Sequence, residues 1–456
     1  MSEDSDRTLR PTKPHLILVL LSLCACAVTL VSGMAASIVY SSYEPLLRSV
    51  GITLQHIRPV HETFAFAWAF LGGTAIVYFY LHNAHGPLGR ATQRRMVVQL
   101  LLWVVAGLSI LITLLDGSFS GREYLGYQPL FSLLILLGWL VFAWNFFDLL
   151  GTRLKGRPVY LYMWTVAIPL FVITYIEGHL YLLDHVSGRP IRDIAIQWKS
   201  NGVLVGSFNL LVYGSLMYVA GMIRGDDAYA HSRTAFALFC IGVLNTFTNY
   251  GHHTYHLPQT PWLHWISFSV SMLEAIILAK VFIDLLDLRN VQVQTDDLRV
   301  TDSFMRSATY WTGLMLILAL LISIPPLNAM IHGTHVVVSH SMGTMVGIDT
   351  MILMAALSFV IRTWVGVDHP VVSGARVRVL VPVVNLFLFV FWLAFFLRGL
   401  AAGWSRYTGP SSPDFSTLIA VFPPIVLLSG FGLALALLWI LAQWGLVVLG
   451  RLRSEG

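Results

Sequence analysis

The chain has 456 residues, of which 56% are hydrophobic and 11% are charged, and its formal net charge is +5 at pH 7. Soluble domains carry roughly 25% charged residues, so this composition excludes an ordinary soluble protein and predicts one that is embedded in a membrane. The small positive charge gives no reason to expect nucleic-acid binding.

Apolar runs of about 20 residues, the length needed to cross a bilayer, recur along the sequence and predict an all-α integral membrane protein with about twelve transmembrane helices. We expect a cytoplasmic tail over residues 1–14, a single membrane domain over 15–450 and a second cytoplasmic tail over 451–456. The predicted spans are roughly 15–40, 59–81, 96–115, 130–150, 159–183, 194–222, 234–255, 262–287, 308–324, 334–362, 379–398 and 417–449.

Lysine and arginine residues are distributed unevenly between the two sides of these spans. Nineteen of the 28 lie in the tails or the even-numbered loops, and seven lie in the odd-numbered loops. By the positive-inside rule both termini are cytoplasmic. The first apolar run is long enough to span the membrane, so no cleavable signal is predicted.

Histidines are concentrated on the outer side, where neutral imidazoles could bind iron or copper. The three cysteines lie inside apolar runs without a C-x-x-C-H motif, so covalent haem and a cysteine-ligated copper pair are not expected. If the protein uses electrons, they must then come from another subunit. Eleven of the 16 histidines are predicted to lie on this side: His56, His61, His179, His185, His252, His253, His256, His264, His332, His335 and His340.

Three spans carry their histidines at comparable depth. His61 opens the second span, His252 and His253 end the seventh, and His340 lies about 9 Å into the tenth, at 1.5 Å per residue. Polar groups in the bilayer are costly unless satisfied. A shared layer of cofactors therefore explains the pattern better than coincidence.

Three stretches of the chain resemble a known family. Gly251-His252-His253, Ser271-Met-Leu-Glu274 and the stretch from His332 to Met342 resemble the catalytic subunit (subunit I) of the haem-copper oxidase superfamily. The resemblance covers essentially the whole chain. It is closest to the nitric oxide reductase large subunit and next to subunit I of the C-type cytochrome c oxidases. The implied fold is a subunit I-like bundle.

The resemblance implies a role for each matching residue. His340 would bind the iron of a high-spin, b-type haem at which substrate binds, and His61 would be one axial ligand of a low-spin haem b. His252 and His253 would hold a non-haem metal, which is iron in nitric oxide reductases and copper in oxidases. Glu274 would handle protons near this centre; its alternative role is a hydrogen bond between helices.

Met342 departs from the family pattern, which has a second histidine at this position. The implied ligation is a His61/Met342 pair, a combination that raises haem potential. The alternative is a methionine that fills the core, with a haem that is ligated differently or is absent.

The sixth span departs from the pattern twice. Aligned on Gly202, Gln197 stands where the family has a metal-binding histidine, and Asn201 stands where it has an acid. Gln197 could supply an oxygen ligand, or His256 or His179 could take its place.

Lys199 and Asp349 are charged residues predicted to lie within spans. Lys199 could act as a cation in the metal site, paired with Glu274, or could extend toward the outer headgroups. Asp349 is expected to be an interhelical hydrogen-bond partner rather than a proton carrier. No line of acidic or hydroxyl residues leads in from the cytoplasmic side.

The resulting hypothesis is a respiratory enzyme of a bacterial inner membrane that converts two NO, two electrons and two protons to N2O and water. Its partners would be membrane lipid and an electron-donor subunit, either a c-type cytochrome or a copper protein. The alternatives are an O2 reductase like cytochrome c oxidase, a haem-binding electron carrier or NO sensor without the second metal, and a haem-free transporter.

Overall fold

The computed structural model describes residues 10–151, 153–248, 250–255, 257–258, 260–289, 298–366, 369, 375–409 and 413–454. Across these ranges all regular secondary structure is helical. The α-helices are α1 (Lys13–Val39), α2 (Glu44–Ser49), α3 (Leu54–His85), α4 (Arg90–Leu115), α5 (Pro129–Leu150), α6 (Val159–Gly178), α7 (Asp184–Ser187), α8 (Pro190–Arg224), α9 (Arg233–Thr248), α10 (Tyr250–His253), α11 (Pro261–Arg289), α12 (Arg299–Ser323), α13 (Pro325–Ile331), α14 (His335–Met342), α15 (Met351–Val365), α16 (Ala375–Thr408) and α17 (Ser416–Ser454).

Ten helices in the described part of the chain are long and apolar enough to cross a membrane. They account for every predicted span except the seventh and eighth. The seventh corresponds to α9, a shorter apolar helix of 16 residues that is followed by α10. The eighth lies within α11. The prediction of an all-α, multi-pass bundle is confirmed.

Small residues let the long helices approach one another closely. This is common in membranes, where van der Waals packing rather than the hydrophobic effect drives helix association. A Cβ added to Gly214 of α8 would lie 2.5 Å from the indole Nε1 of Trp164 in α6. That indole donates to the backbone oxygen of Leu211 at 3.1 Å. The indole and the glycine therefore hold α6 and α8 together.

The tenth span is not a regular α-helix. Between α14 and α15 the chain forms a π-helix over Gly343–Thr350. Thr350 Oγ1 donates to the Met345 backbone oxygen at 2.8 Å and accepts from Trp68 Nε1 of α3 at 3.1 Å. Such π segments are often found at functional sites.

Several helix ends meet at one end of the bundle. Tyr40, which follows α1, lies edge-on to His335 at the start of α14, with ring centroids 6.1 Å apart. Trp198, near the start of α8, stacks on His253 at the end of α10. We call this the histidine-rich end; it also carries His61 and His340.

Candidate functional site

His61 lies near the start of α3, with its ring against α1. Its Nδ1 is 2.9 Å from the backbone oxygen of Thr29. A Cβ added to Gly33 would lie 3.2 Å from His61 Cε1, so glycine at this position gives the ring room. With Nδ1 held by a carbonyl oxygen, Nε2 is the nitrogen left for a metal, which is the usual arrangement of histidine ligands.

Met342, the last residue of α14, is partly buried and packs against an apolar cluster of α16 and α17. Sulfur and aromatic rings pack favourably. An apolar surface of this kind could contact the edge of a haem or belong to an ordinary hydrophobic core. The buried members of the cluster are Phe391, Ala394, Phe395, Phe422 and Val426.

One turn of α1 links the surroundings of His61 and Met342. A Cβ added to Gly430 of α17 would lie 2.4 Å from Ser37 Oγ and 3.3 Å from Phe391, which belongs to the Met342 cluster. Ser37 follows Gly33, the residue against His61, by one helical turn. The apolar cluster that Met342 packs against therefore lies close to the helix that carries Gly33.

His340 lies two residues before Met342, which turns the two side chains about 200° apart around a helix. Its Nδ1 is buried and has no hydrogen-bond partner among the described residues. An enclosed imidazole without a partner is costly to the fold. A nitrogen left open in this way fits a residue that binds iron.

His253 lies at the end of α10, parallel to the ring of Trp198. The two ring centroids are 5.0 Å apart and the planes differ by 2°. The imidazoles of His340 and His332 lie near that of His253. The structure therefore brings the predicted haem ligand His340 and the predicted metal ligand His253 into one neighbourhood.

Among the described side chains, no histidine supplies a third ligand for the predicted non-haem metal. Within the described ranges, no three His, Cys, Asp or Glu side chains converge to form a metal site. Gln197 and Asn201 lie on α8 one turn apart, and the Asn201 Nδ2 is buried without a hydrogen-bond partner. An amide oxygen of this turn is one candidate to complete the set, with His256 the other.

His179 is wrong as a substitute ligand. Its Nδ1 lies 2.6 Å from the Tyr175 backbone oxygen and its Nε2 lies 2.7 Å from Ser132 Oγ. Both ring nitrogens are therefore occupied by hydrogen bonds between α6 and α5.

Lys199 has a partner that the sequence analysis did not consider. Its Nζ donates to Glu177 Oε1 of α6 at 2.6 Å. The lysine side chain is 41% exposed and the glutamate side chain is 21% exposed. The ammonium thus belongs to an ion pair between α8 and α6, and this pair accounts for its position without a metal site.

Three predicted residues lie outside the description of side chains. His252 and Glu274 have described backbone within α10 and α11, but their side chains are not described, and His256 is not described at all. Their assigned roles stay predictions.

Sequence reasoning missed Thr29, Gly33, Trp198 and Glu177. Trp198 is a neighbour of Gln197, so an aromatic beside the replaced metal ligand was a usable signal. Thr29 acts through its backbone oxygen, and Glu177 is more than twenty positions from Lys199. Neither residue carries a signal in the sequence alone.

The chain is similar to known proteins in its sequence profile and in its fold. The profile of the family "Cytochrome C and Quinol oxidase polypeptide I" matches residues 14–435. A heme-copper terminal oxidase, solved as a dimer by cryo-electron microscopy, has a similar fold with a TM-score of 0.70. It is 16% identical, and the match covers 95% of this chain and 84% of that chain. Comparison with curated protein sequences gives no match.

The profile covers most of the chain, including α3, α8, α10 and α14, which carry the histidine-rich end. This chain belongs to the haem-copper oxidase subunit I family, whose members are membrane-embedded respiratory haem oxidoreductases.

Proposed function

We propose that the protein is the catalytic subunit of a nitric oxide reductase-like complex. It would convert two NO, two electrons and two protons to N2O and water. The observation that carries the proposal is the pairing of His340, whose buried Nδ1 has no hydrogen-bond partner, with His253 in the same neighbourhood. A binuclear centre needs ligands from two helices facing one small space.

The residues on α3 and α14 fit two haems. His61 is oriented by the Thr29 carbonyl and Met342 lies in an apolar pocket, so the pair would hold a low-spin haem b. His340 would hold the high-spin haem on the other side of α14. When bound, haem supplies one-electron transfer and binding of a diatomic gas. The chain's own contribution is to fix the ligands and exclude water.

The non-haem metal fits less well. His252 and His253 would be its ligands, with Gln197 or His256 as the third, and the metal would be iron or copper. An amide oxygen is a harder ligand than imidazole, so the site would bind its metal less tightly than three histidines would. We derive no chemical step through this metal.

One acid and one amide are candidates for the polar chemistry around the centre. Glu274 would handle protons, as the family resemblance implies. Asn201, with an unpartnered buried Nδ2, would donate a hydrogen bond to the substrate. We assign Lys199 to the ion pair with Glu177 rather than to catalysis.

The arrangement in the cell follows from the charge distribution and the family. The protein would lie in a bacterial inner membrane as one domain over residues 15–450, with both tails in the cytoplasm and the histidine-rich end toward the outer face. A c-type cytochrome or copper-containing subunit would supply electrons at that face. O2 is the alternative substrate, because the family profile includes oxidases.

A second candidate is favoured by Gln197, which stands where the family pattern has a metal-binding histidine. Without the non-haem metal, the protein would be a haem-binding electron carrier or NO sensor. Optical spectra and metal analysis of the purified complex separate these functions. Two haems with non-haem iron and NO consumption support the reductase, copper with O2 consumption supports the oxidase, and haem without turnover supports the carrier or sensor. Absence of haem overturns all three.

A further inference from the structure

Asp349 is a carboxylic acid in the middle of a transmembrane segment. It is 3% exposed and lies in the π-helix Gly343–Thr350. The sequence analysis expected it to bond to a neighbouring helix. Its buried Oδ1 makes no such bond, because that atom has no hydrogen-bond partner among the described residues.

The packing around the π-helix is apolar or uncharged. Gly343 lies against Met315 of α12, and Gly347 lies against Trp311 of the same helix. On the α3 side, Thr350 accepts from the indole of Trp68. No charged group among the described residues of the adjoining helices acts on the Asp349 carboxyl.

An ionised carboxylate is strongly unfavourable in such surroundings. Asp349 is therefore held as a neutral acid. A neutral acid without partners still weakens the fold relative to an apolar residue, so stability does not explain an aspartate here. Ionisable residues inside membranes commonly mark proton or ion pathways.

We propose that Asp349 is an internal proton-holding residue for the reaction at His340. It lies seven residues beyond Met342 and nine beyond His340, which is roughly 10 to 14 Å along a helix axis. On the intervening turn, Thr344 Oγ1 donates to the His340 backbone oxygen at 3.0 Å. The inference rests on the proposed function, because it needs a proton-consuming reaction.

The proton balance is simple. The O–H bond of the Asp349 carboxyl breaks, and its proton goes to the oxygen that leaves as water. The electrons come from the donor subunit of the proposed complex. The carboxylate then takes a proton from the aqueous phase, which restores the neutral acid, and a second such transfer supplies the second proton of the water. Nothing is oxidised or reduced at Asp349 itself.

The test uses the purified complex with its haems. Infrared difference spectra between oxidised and reduced protein, recorded in H2O and D2O, report protonated carboxyl groups. We expect a carbonyl band in the wild type that shifts in D2O, responds to isotope-labelled aspartate and is lost in Asp349→Asn. Turnover of Asp349→Asn should fall at least about tenfold, with unchanged haem spectra.

Thr350→Val is the matched control. It removes the hydroxyl bonded to Met345 in the same π turn but keeps the carboxyl, so the band should remain. The proposal is overturned by a wild type without a labelled-aspartate band, by a band that persists in Asp349→Asn, or by near-normal turnover of that variant. A preparation without haem overturns the proposed function instead, and this inference with it.

Discussion

Trp198 and His253 stack face to face, with planes 2° apart and centroids 5.0 Å apart, although they are 55 residues apart in the sequence. The contact joins the start of α8 to the end of α10. A ring held flat against an indole keeps its nitrogens in a fixed plane. Trp198 therefore acts as a positioning residue for His253.

We predict that Trp198→Leu loosens His253 and weakens binding at the centre. Aromatic pairs contribute about 0.5 to 1.5 kcal/mol beyond burial, which corresponds to a loss of affinity of about two- to tenfold. Metal content and NO titration of the reduced protein measure the loss. Trp198→Phe should retain most of the affinity.

Trp262→Leu is the control for this prediction, because Trp262 lies at the start of α11 and is 61% exposed. It should leave metal content and NO affinity unchanged. If Trp198→Leu also behaves as the wild type, the stack does not position His253.

Gly33→Ala should disturb the low-spin haem alone. The new methyl group would lie 3.2 Å from His61 Cε1, so the imidazole must tilt or withdraw. We expect a changed low-spin optical band or lower occupancy of that haem, with the high-spin signal preserved. Gly107→Ala, where nothing lies within 4 Å of the added Cβ, is the matched control. Equal spectra for both variants would refute a ligand role of His61 at this place.

Met342→His should lower the midpoint potential of the low-spin haem. Replacing a thioether ligand by imidazole removes the stabilisation of ferrous iron, within the roughly 0.8 V range that axial ligands control. Spectroelectrochemical titration measures the shift. Met342→Leu keeps the apolar packing but cannot bind iron, so it should give a five-coordinate signal. An unchanged spectrum in Met342→Leu would make the methionine a core residue only.

Gln197→His should raise the content of non-haem metal. It restores the imidazole that the family pattern has on α8, next to the Trp198–His253 stack. We expect the ratio of metal to protein, measured by elemental analysis, to approach one equivalent and turnover to rise. Gln197→Ala should lower both if the amide is a ligand. Metal content that is identical in all three proteins would remove position 197 from the site.

Glu177→Gln and Lys199→Gln should each cost little stability. The ion pair is partly exposed, at 21% and 41% for the two side chains, so its coupling energy should be about 0.2 to 1 kcal/mol. A double-mutant cycle on thermal unfolding in detergent measures this value. A loss of haem or metal in Lys199→Gln would instead return the lysine to the active centre.

Much of the fold could be predicted from the sequence. Apolar length is a property of consecutive residues, and it located the spans that became α1, α3 and the other long helices. The spacing of His340 and Met342 also fixes that they point to opposite sides of one helix, because helical geometry is local. The π-helix after Met342 was not predicted, since its pattern resembles an ordinary apolar helix.

The candidate site was predictable only in part. His61, His253 and His340 were chosen from their residue type and depth, and the structure brings His253 and His340 together. The partner of Lys199 and the occupied nitrogens of His179 were not predictable, because hydrogen bonds between helices depend on their rotation and distance.

The sequence by itself determined the membrane class, the family and the order of ligand-bearing helices, since hydropathy and motif spacing lie along the chain. Only the tertiary structure decided that Thr29 orients His61, that Trp198 stacks on His253 and that the buried Oδ1 of Asp349 has no hydrogen-bond partner among the described residues. These relationships join helices that are distant in sequence. They exist only once close packing has fixed which faces of those helices meet.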